Sequence, residues 1–155
     1  MRPVAQRNDR AVPTFDAQSY LPRGSDYCVA VFVINENGKL QIQLDRMRPY
    51  ADLIDIVIAD GGSTDGSTDR TGLEPRGVNS LLTKTGSGKL GAQMRMAFAW
   101  ALDRGYKGVV CMDGNNKDGP EALPDFVELL EAGYDHVQGS RFRPGGVSEN
   151  LPLSR

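Results

Sequence analysis

The feature that most limits the possible folds is YCVAVFVI, residues 27–34, an unbroken apolar run rich in β-branched and aromatic residues. A strand covered on one face alternates apolar and polar residues, whereas a strand covered on both faces is apolar throughout. Strands of the second kind occur mainly in parallel sheets that carry helices on both sides. The run therefore predicts an inner strand of an α/β sheet.

Helical patterns separate this run from further apolar segments. Leu40, Leu44 and Met47 recur at helical spacing and predict a helix of about three turns. A second apolar face runs from Leu90 to Ala101, and a third helix is predicted around Leu123–Leu130, with a proline in its first turn. The remaining predicted strands are residues 53–59, 78–84, 107–113 and 134–140. This alternation predicts an α/β fold with a mainly parallel sheet, in which ligands bind at the carboxyl ends of the strands.

The first 25 residues show neither a helical nor an alternating period. We expect residues 1–25 to form a flexible leader, or a strap that lies over the domain, and residues 26–155 to form the domain itself. The formal net charge of −2 indicates no general attraction for nucleic acid or for an anionic membrane. Cys28 and Cys111 both fall in predicted strands, where cysteine is usually a small buried apolar residue.

The chain shows no apolar run of the roughly 20 residues that a membrane span requires, and its N-terminal residues lack the apolar core of a signal peptide. We therefore expect no transmembrane segment and a cytoplasmic location. The lone histidine, His136, and the lone tryptophan, Trp100, lie in apolar surroundings. Both are expected to be structural.

The polar stretch DGGSTDGSTD begins with Asp60 at the end of a predicted strand. A carboxylate at this position can accept hydrogen bonds from a base or a ribose, and the glycine pair that ends at Gly62 allows a ligand to approach closely. The alternative is purely local, since Ser63, Thr64 and Asp65 are all good helix N-caps. Sequence chemistry leaves both interpretations open.

The stretch GSGK, residues 86–89, superficially resembles a phosphate-binding P-loop. That motif requires a glycine where this chain has Thr83, and Ser or Thr where it has Leu90, so it is excluded. A glycine-rich helix entrance carrying Lys84 and Lys89 remains, and it can present N–H groups and positive charge to an anion. The sequence is equally compatible with a mobile loop whose lysines are solvated and bind nothing.

The stretch MDGNNKDG, residues 112–119, has two interpretations as well. Asp and Asn beside Gly favour turns, and Asp118 is placed to cap the following helix. Asp113 and Asn115, two residues apart at a strand end, can instead hold Mg²⁺ or Mn²⁺ together with a diphosphate. Lys117 is unusual beside such a metal site. Arg141 and Arg143, which follow the last predicted strand, can bind phosphate or remain solvated.

Five segments in this order resemble the N-terminal, nucleotide-sugar-binding part of glycosyltransferase family 2, and most nearly its dolichyl- and polyprenyl-phosphate sugar transferases. The segments are VFVINENGKL, IVIADGGSTDGS, KTGSGKLGAQMRMAF, VVCMDGNNKDGPEALPDFVELLEAGYD and VQGSRFRPGG. The resemblance extends from Tyr27 to the end of the chain. It implies a GT-A fold, a Rossmann-like and mostly parallel sheet flanked by helices.

The same resemblance implies roles for individual residues. Asn35 and Glu36 fall where the first strand of the family meets the nucleotide, and Asp60, with Gly62 beside it, matches the acidic residue that contacts the base or ribose. Lys89 matches a basic position near the donor. The Asp-x-Asp metal positions of the family are occupied by Asp113 and Asn115, with Asp118 as a further oxygen ligand, and Arg141 matches a position associated with the acceptor phosphate. Asp113 and Arg141 are thus the expected catalytic residues.

The implied reaction is inverting transfer of a sugar from a UDP- or GDP-sugar to a polyprenyl phosphate or a cell-envelope glycan. Mg²⁺ or Mn²⁺ is the implied cofactor, with an affinity weakened by Asn115 and Lys117, and association with the inner face of the membrane is compatible with such an acceptor. We expect a C-terminally truncated member of the family, since the family normally continues with an acceptor-side segment. The alternative is a catalytically deficient nucleotide-sugar-binding module that acts with a partner chain. A nucleotidyltransferase is disfavoured, because NENGKL lacks its glycine-rich signature.

Overall fold

The computed structural model describes residues 10–140 and 142–146. Within these residues, one sheet has the strand order β1-β4-β3-β2-β5. Strands β4, β3, β2 and β5 are parallel, and β1 is antiparallel to β4. This confirms the predicted α/β fold with a mostly parallel sheet. The strands are β1 Phe15–Ser19, β2 Tyr27–Val33, β3 Asp55–Asp60, β4 Val78–Lys84 and β5 Gly108–Asp113.

Four α-helices connect or follow these strands in the described part of the chain: α1 Lys39–Met47, α2 Arg70–Leu73, α3 Leu90–Asp103 and α4 Leu123–Glu131. The prediction of α1, α3 and α4 is confirmed. The single turn α2 was not predicted, because four residues are too few to show a helical period. None of these helices has the length and apolar character needed to cross a membrane.

The sheet has an apolar core on each face. Helices α1 and α4 pack on one face and α3 packs on the other. Strand β2 contributes alternate residues to both cores: Val29, Val31 and Val33 to the first, and Cys28, Ala30 and Phe32 to the second. All six are buried, which explains why this segment is apolar throughout.

Strand β1 shows that residues 15–19, which were expected to belong to a flexible leader or to a strap over the domain, are part of the sheet. It pairs with the edge of β4 from Phe15↔Lys84 to Ser19↔Ser80. Phe15 is half-buried and packs against the core beneath α3, whereas the other four residues of β1 are exposed. Main-chain pairing rather than side-chain burial holds this strand, so its sequence carries no apolar period.

The strand predicted at residues 134–140 is absent, because this segment runs as an irregular chain after α4. Most of its side chains are exposed, His136 among them, and it pairs with no strand in the described residues. Strand β5 is therefore an edge strand of the described sheet. Cys111 is exposed on β5, contrary to the expectation of burial, whereas Cys28 on β2 and Trp100 on α3 are buried as expected.

The packing of Phe15 gives a test of β1. We expect Phe15→Ala to lower the free energy of unfolding by about 1–2 kcal/mol, because it removes a half-buried ring from the second core. Asp16→Ala, at the adjacent exposed position, is the matched control and should change stability by less than about 0.5 kcal/mol. Denaturant unfolding measures both values. Equal and negligible effects would show that Phe15 does not pack against the second core.

Candidate active site

An open pocket of about 470 Å³ lies at the carboxyl ends of the parallel strands. Each of β2, β3, β4 and β5, or the residue that follows it, contributes to its wall, and the beginning of α3 closes one side. This is the edge at which open α/β sheets bind ligands. The lining residues are Phe32, Val33, Ile34, Glu36, Gly61, Lys84, Gly88, Lys89, Leu90, Gln93, Asp113, Gly114 and Asn115.

The loop after β3 is held by the side chain of Asp60. This carboxylate is 1% exposed, and its Oδ1 accepts hydrogen bonds from Gly62 N at 3.1 Å, Ser63 N at 2.9 Å and Ser63 Oγ at 2.7 Å. Asn35 joins the same loop to the end of β2, because its N–H donates to Ser63 Oγ and its Oδ1 accepts from Thr64 N. In this structure, Asp60 and Asn35 shape the loop beside the pocket and do not line it.

The entrance to α3 brings two lysines to the pocket. Lys89 is exposed, and Lys84 is half-buried with its Nζ donating to Gly86 O at 2.7 Å. Gly88 has φ +104°, and a Cβ there would lie 2.5 Å from the Cβ of Ala92, so the turn requires glycine. A helix N-terminus beside two ammonium groups favours the binding of an anionic group.

The loop after β5 presents Asp113 to the pocket. Gly114 follows it against β2, with its N–H donating to Phe32 O at 2.8 Å. The carboxylate of Asp118 turns back and accepts a hydrogen bond from Asp113 N at 3.1 Å, while Asn115 Oδ1 accepts one from Lys117 N at 3.1 Å. The turn interpretation is confirmed, although Asp118 binds Asp113 N and does not cap the following helix. The metal site stays a prediction, and the loop places the carboxylate of Asp113 at the pocket.

The carboxylate of Asp113 lies in an unfavourable electrostatic environment. Its partial burial, together with the negative charges of Asp118 and Glu36, raises its pKa above the ordinary value. No hydrogen bond from the described residues reaches its carboxylate oxygens. A cation at this position would relieve the repulsion and supply the missing partner.

The donor set fits a divalent cation only when a ligand contributes to it. In the described part of the chain, no three His, Cys, Asp or Glu side chains are grouped so that they could hold a metal ion. Mg²⁺ is commonly held by one or two carboxylates plus substrate phosphates and water. Asp113 and Asn115, which both line the pocket, match that pattern.

The predicted site residues thus divide into three groups. Glu36, Lys89, Asp113 and Asn115 line the pocket, whereas Asn35, Asp60, Gly62 and Asp118 lie in the loops that shape it. Arg141 lies outside the described residues. The side chain of Lys117 is exposed and does not line the pocket.

Sequence reasoning did not assign Gln43 and Gln93 to this region. Gln93 Nε2 donates to Val33 O at 3.0 Å and to Ala59 O at 3.1 Å, so α3 joins the ends of β2 and β3. Gln43 binds the loop after β5 from the opposite face of the sheet. Their only signal in the sequence is an amide within the apolar face of each helix.

Comparison with known proteins places the chain in a family. The model described as "Glycosyl transferase family 2" matches residues 28–155. The chain therefore belongs to glycosyltransferase family 2, and the resemblance inferred from its motifs is confirmed.

Within the family, the chain is similar to several sugar transferases of known name. The chain is 32% identical over 130 residues to the polyprenol monophosphomannose synthase of Mycolicibacterium smegmatis, covering 82% of the chain and 49% of that protein. It is 36% identical over 124 residues to the undecaprenyl-phosphate mannosyltransferase of Micrococcus luteus, covering 78% and 50%. A third relative, glycosyltransferase AglJ of Haloferax volcanii, is 31% identical over 136 residues, covering 83% of the chain and 41% of that protein. The chain spans about half the length of the first two relatives.

The raised pKa of Asp113 predicts an effect of pH on stability. An acid whose pKa is higher in the folded state than in the unfolded state loses stability as the pH rises through the interval between the two values. We therefore expect Asp113→Asn to raise the unfolding temperature at pH 7, and to have almost no effect below the ordinary carboxyl pKa of about 3.9. Thermal unfolding between pH 3 and pH 8 measures this, with the exposed Asp52→Asn as control. A difference that does not depend on pH would contradict the proposed environment of Asp113.

Gly114 gives a second test of the loop. A Cβ at this residue would lie 2.8 Å from Val33 Cγ2 and 3.0 Å from the main-chain oxygen of Phe32. Gly114→Ala should therefore lower the free energy of unfolding by about 1–3 kcal/mol. In the control, Gly119→Ala, the nearest atom is the flexible Glu121 Oε2, and a much smaller effect is expected. Denaturant unfolding compares the two variants, and equal losses would refute the tight packing of Gly114 on β2.

Proposed function

We propose that this pocket binds a nucleotide-diphospho-sugar, either a UDP- or a GDP-sugar, and that the protein transfers the sugar to a polyprenyl phosphate. Family membership and the names of two relatives support the reaction class and the acceptor. A cell-envelope glycan is the alternative acceptor. The observation that carries the proposal is that one pocket at the carboxyl ends of the strands is lined both by two lysines and by the carboxylate of Asp113, which has no hydrogen-bonding partner among the described residues.

The lysines and α3 would bind the diphosphate of the donor. Lys89 lines the pocket with its charge exposed, and Lys84 is fixed by its hydrogen bond to Gly86 O. The N-terminus of α3 adds the partial positive charge of its free N–H groups. These groups would orient the donor and stabilise the negative charge that develops on the departing nucleoside diphosphate.

Mg²⁺ or Mn²⁺ would be held by Asp113 and Asn115, with Asp118 supporting the loop. When bound, such a cation supplies Lewis-acid stabilisation of the leaving diphosphate. An amide at position 115 provides a weaker ligand than a carboxylate, so a modest affinity for the cation is expected. The side chain of Lys117 adds a positive charge to the same loop.

The acceptor phosphate would act as the nucleophile. A phosphate is already an anion at neutral pH, so it needs orientation more than it needs a general base. Its oxygen would form the new bond to the anomeric carbon as the bond to the nucleoside diphosphate breaks, and attack from the opposite side inverts that carbon. Arg141 is our candidate for orienting the acceptor, and a lipid acceptor would bring the protein to the membrane surface.

Calorimetric titration with GDP-mannose and UDP-glucose, with and without Mn²⁺, tests donor binding. We expect binding that Mn²⁺ strengthens, and Lys89→Ala should weaken it about tenfold, as expected for the loss of one charge-assisted contact. Lys107→Ala is the matched control. Lys107 directly precedes β5, at the end of the strand away from the pocket, and pairs with Asp26. Equal affinity of both variants would argue against a donor site at α3.

A transfer assay with a short-chain polyprenyl phosphate then separates the two candidate functions. Transfer with an inverted anomeric configuration, determined by NMR of the product, would support the enzyme. Donor binding without transfer to any phosphorylated lipid or glycan would favour the alternative, a nucleotide-sugar-binding module that acts with a partner chain. No binding of either nucleotide would contradict both.

A further inference from the structure

The side chain of Gln43 joins α1 to the loop after β5. Gln43 is fully buried, and its Nε2 donates to the main-chain oxygen of Asp113 at 2.8 Å. Its Oε1 accepts from the main-chain N–H of Asn116, also at 2.8 Å. One amide therefore holds both ends of the segment 113–116, which carries the two candidate cation ligands.

One residue of this segment lies in the left-handed region of backbone conformation. Asn116 has φ +60°, in the left-handed region that residues other than glycine seldom adopt. A second contact from α1 holds the same residue, because Arg46 Nη1 donates to Asn116 Oδ1 at 2.8 Å. Helix α1 thus supplies three polar contacts to this segment, two of them to Asn116.

We infer that Gln43 is a positioning residue of the donor pocket, which sets the direction in which Asp113 and Asn115 project. This inference rests on the proposed function. Gln43 does not line the pocket, so it acts through the main chain of Asp113, which lines the pocket, and of Asn116, which follows Asn115. A buried amide that both donates and accepts can fix the spacing between a carbonyl and an N–H, which an apolar side chain of the same volume cannot do.

The variant Gln43→Met tests this role, because it keeps the volume of the side chain and removes both hydrogen bonds. We expect its affinity for Mn²⁺ and for the preferred nucleotide-sugar to fall by about tenfold or more, the usual effect of losing a group that orients a ligand residue. Hydrogen exchange of the Asn116 amide should accelerate relative to the amides of β2. Gln43→Leu removes the same two bonds and serves if the methionine variant does not fold.

A stability control distinguishes positioning from general support of the fold. Leu44→Val shortens a fully buried side chain on the same helix and leaves both bonds of Gln43 in place. We expect it to lower the unfolding temperature while donor and Mn²⁺ affinities stay at the wild-type level. Wild-type affinity in Gln43→Met, or an equal loss in Leu44→Val, would overturn the inference alone. A wild-type protein that binds no nucleotide-sugar would overturn the proposed function together with it.

Discussion

The pairing of β2 with a parallel strand on each side is the constraint on which the site depends. Its register places Val33 opposite Asp60 on β3 and Phe32 opposite Asp113 on β5. The residue that follows each flanking strand is also bound to β2, since Gly61 N donates to Val33 O and Gly114 N donates to Phe32 O. A shift of one residue on either side would point an acidic side chain to the other face of the sheet.

Two buried glutamines, on helices that pack on opposite faces of the sheet, form hydrogen bonds with main-chain oxygens at the carboxyl ends of the strands. Gln93 on α3 caps the carbonyl groups of Val33 and Ala59, and Gln43 on α1 caps that of Asp113. Val33 O also accepts from Gly61 N, so Gln93 adds a second hydrogen bond there, whereas a buried main-chain group left without any hydrogen bond costs about 1–3 kcal/mol. The helices therefore contribute apolar packing at their middle and polar capping near the pocket.

The elements that were predicted correctly are those whose own side chains carry the signal. Strand β2 is apolar because both of its faces are covered, and α1, α3 and α4 show one apolar face each. The first strand was missed because β1 is held by main-chain pairing with β4, to which its exposed side chains add little. The strand expected at residues 134–140 does not form. The segment contains a few apolar residues, but it has no neighbouring strand to pair with in the described chain.

The sequence by itself determined the fold class, the order of the polar clusters at the strand ends and the family, because these depend on local patterns along the chain. Only the tertiary structure decided which residues of those clusters face the pocket. Asp60 ends the buried strand β3, and Asp113 ends the partly exposed edge strand β5. The carboxylate of Asp60 accepts hydrogen bonds from its own loop, while that of Asp113 has no hydrogen-bonding partner among the described residues. The hydrogen bonds of Asp60 are local, whereas the loop that carries Asp113 is held by Gln43, 70 residues away along the chain, a contact that no local pattern encodes.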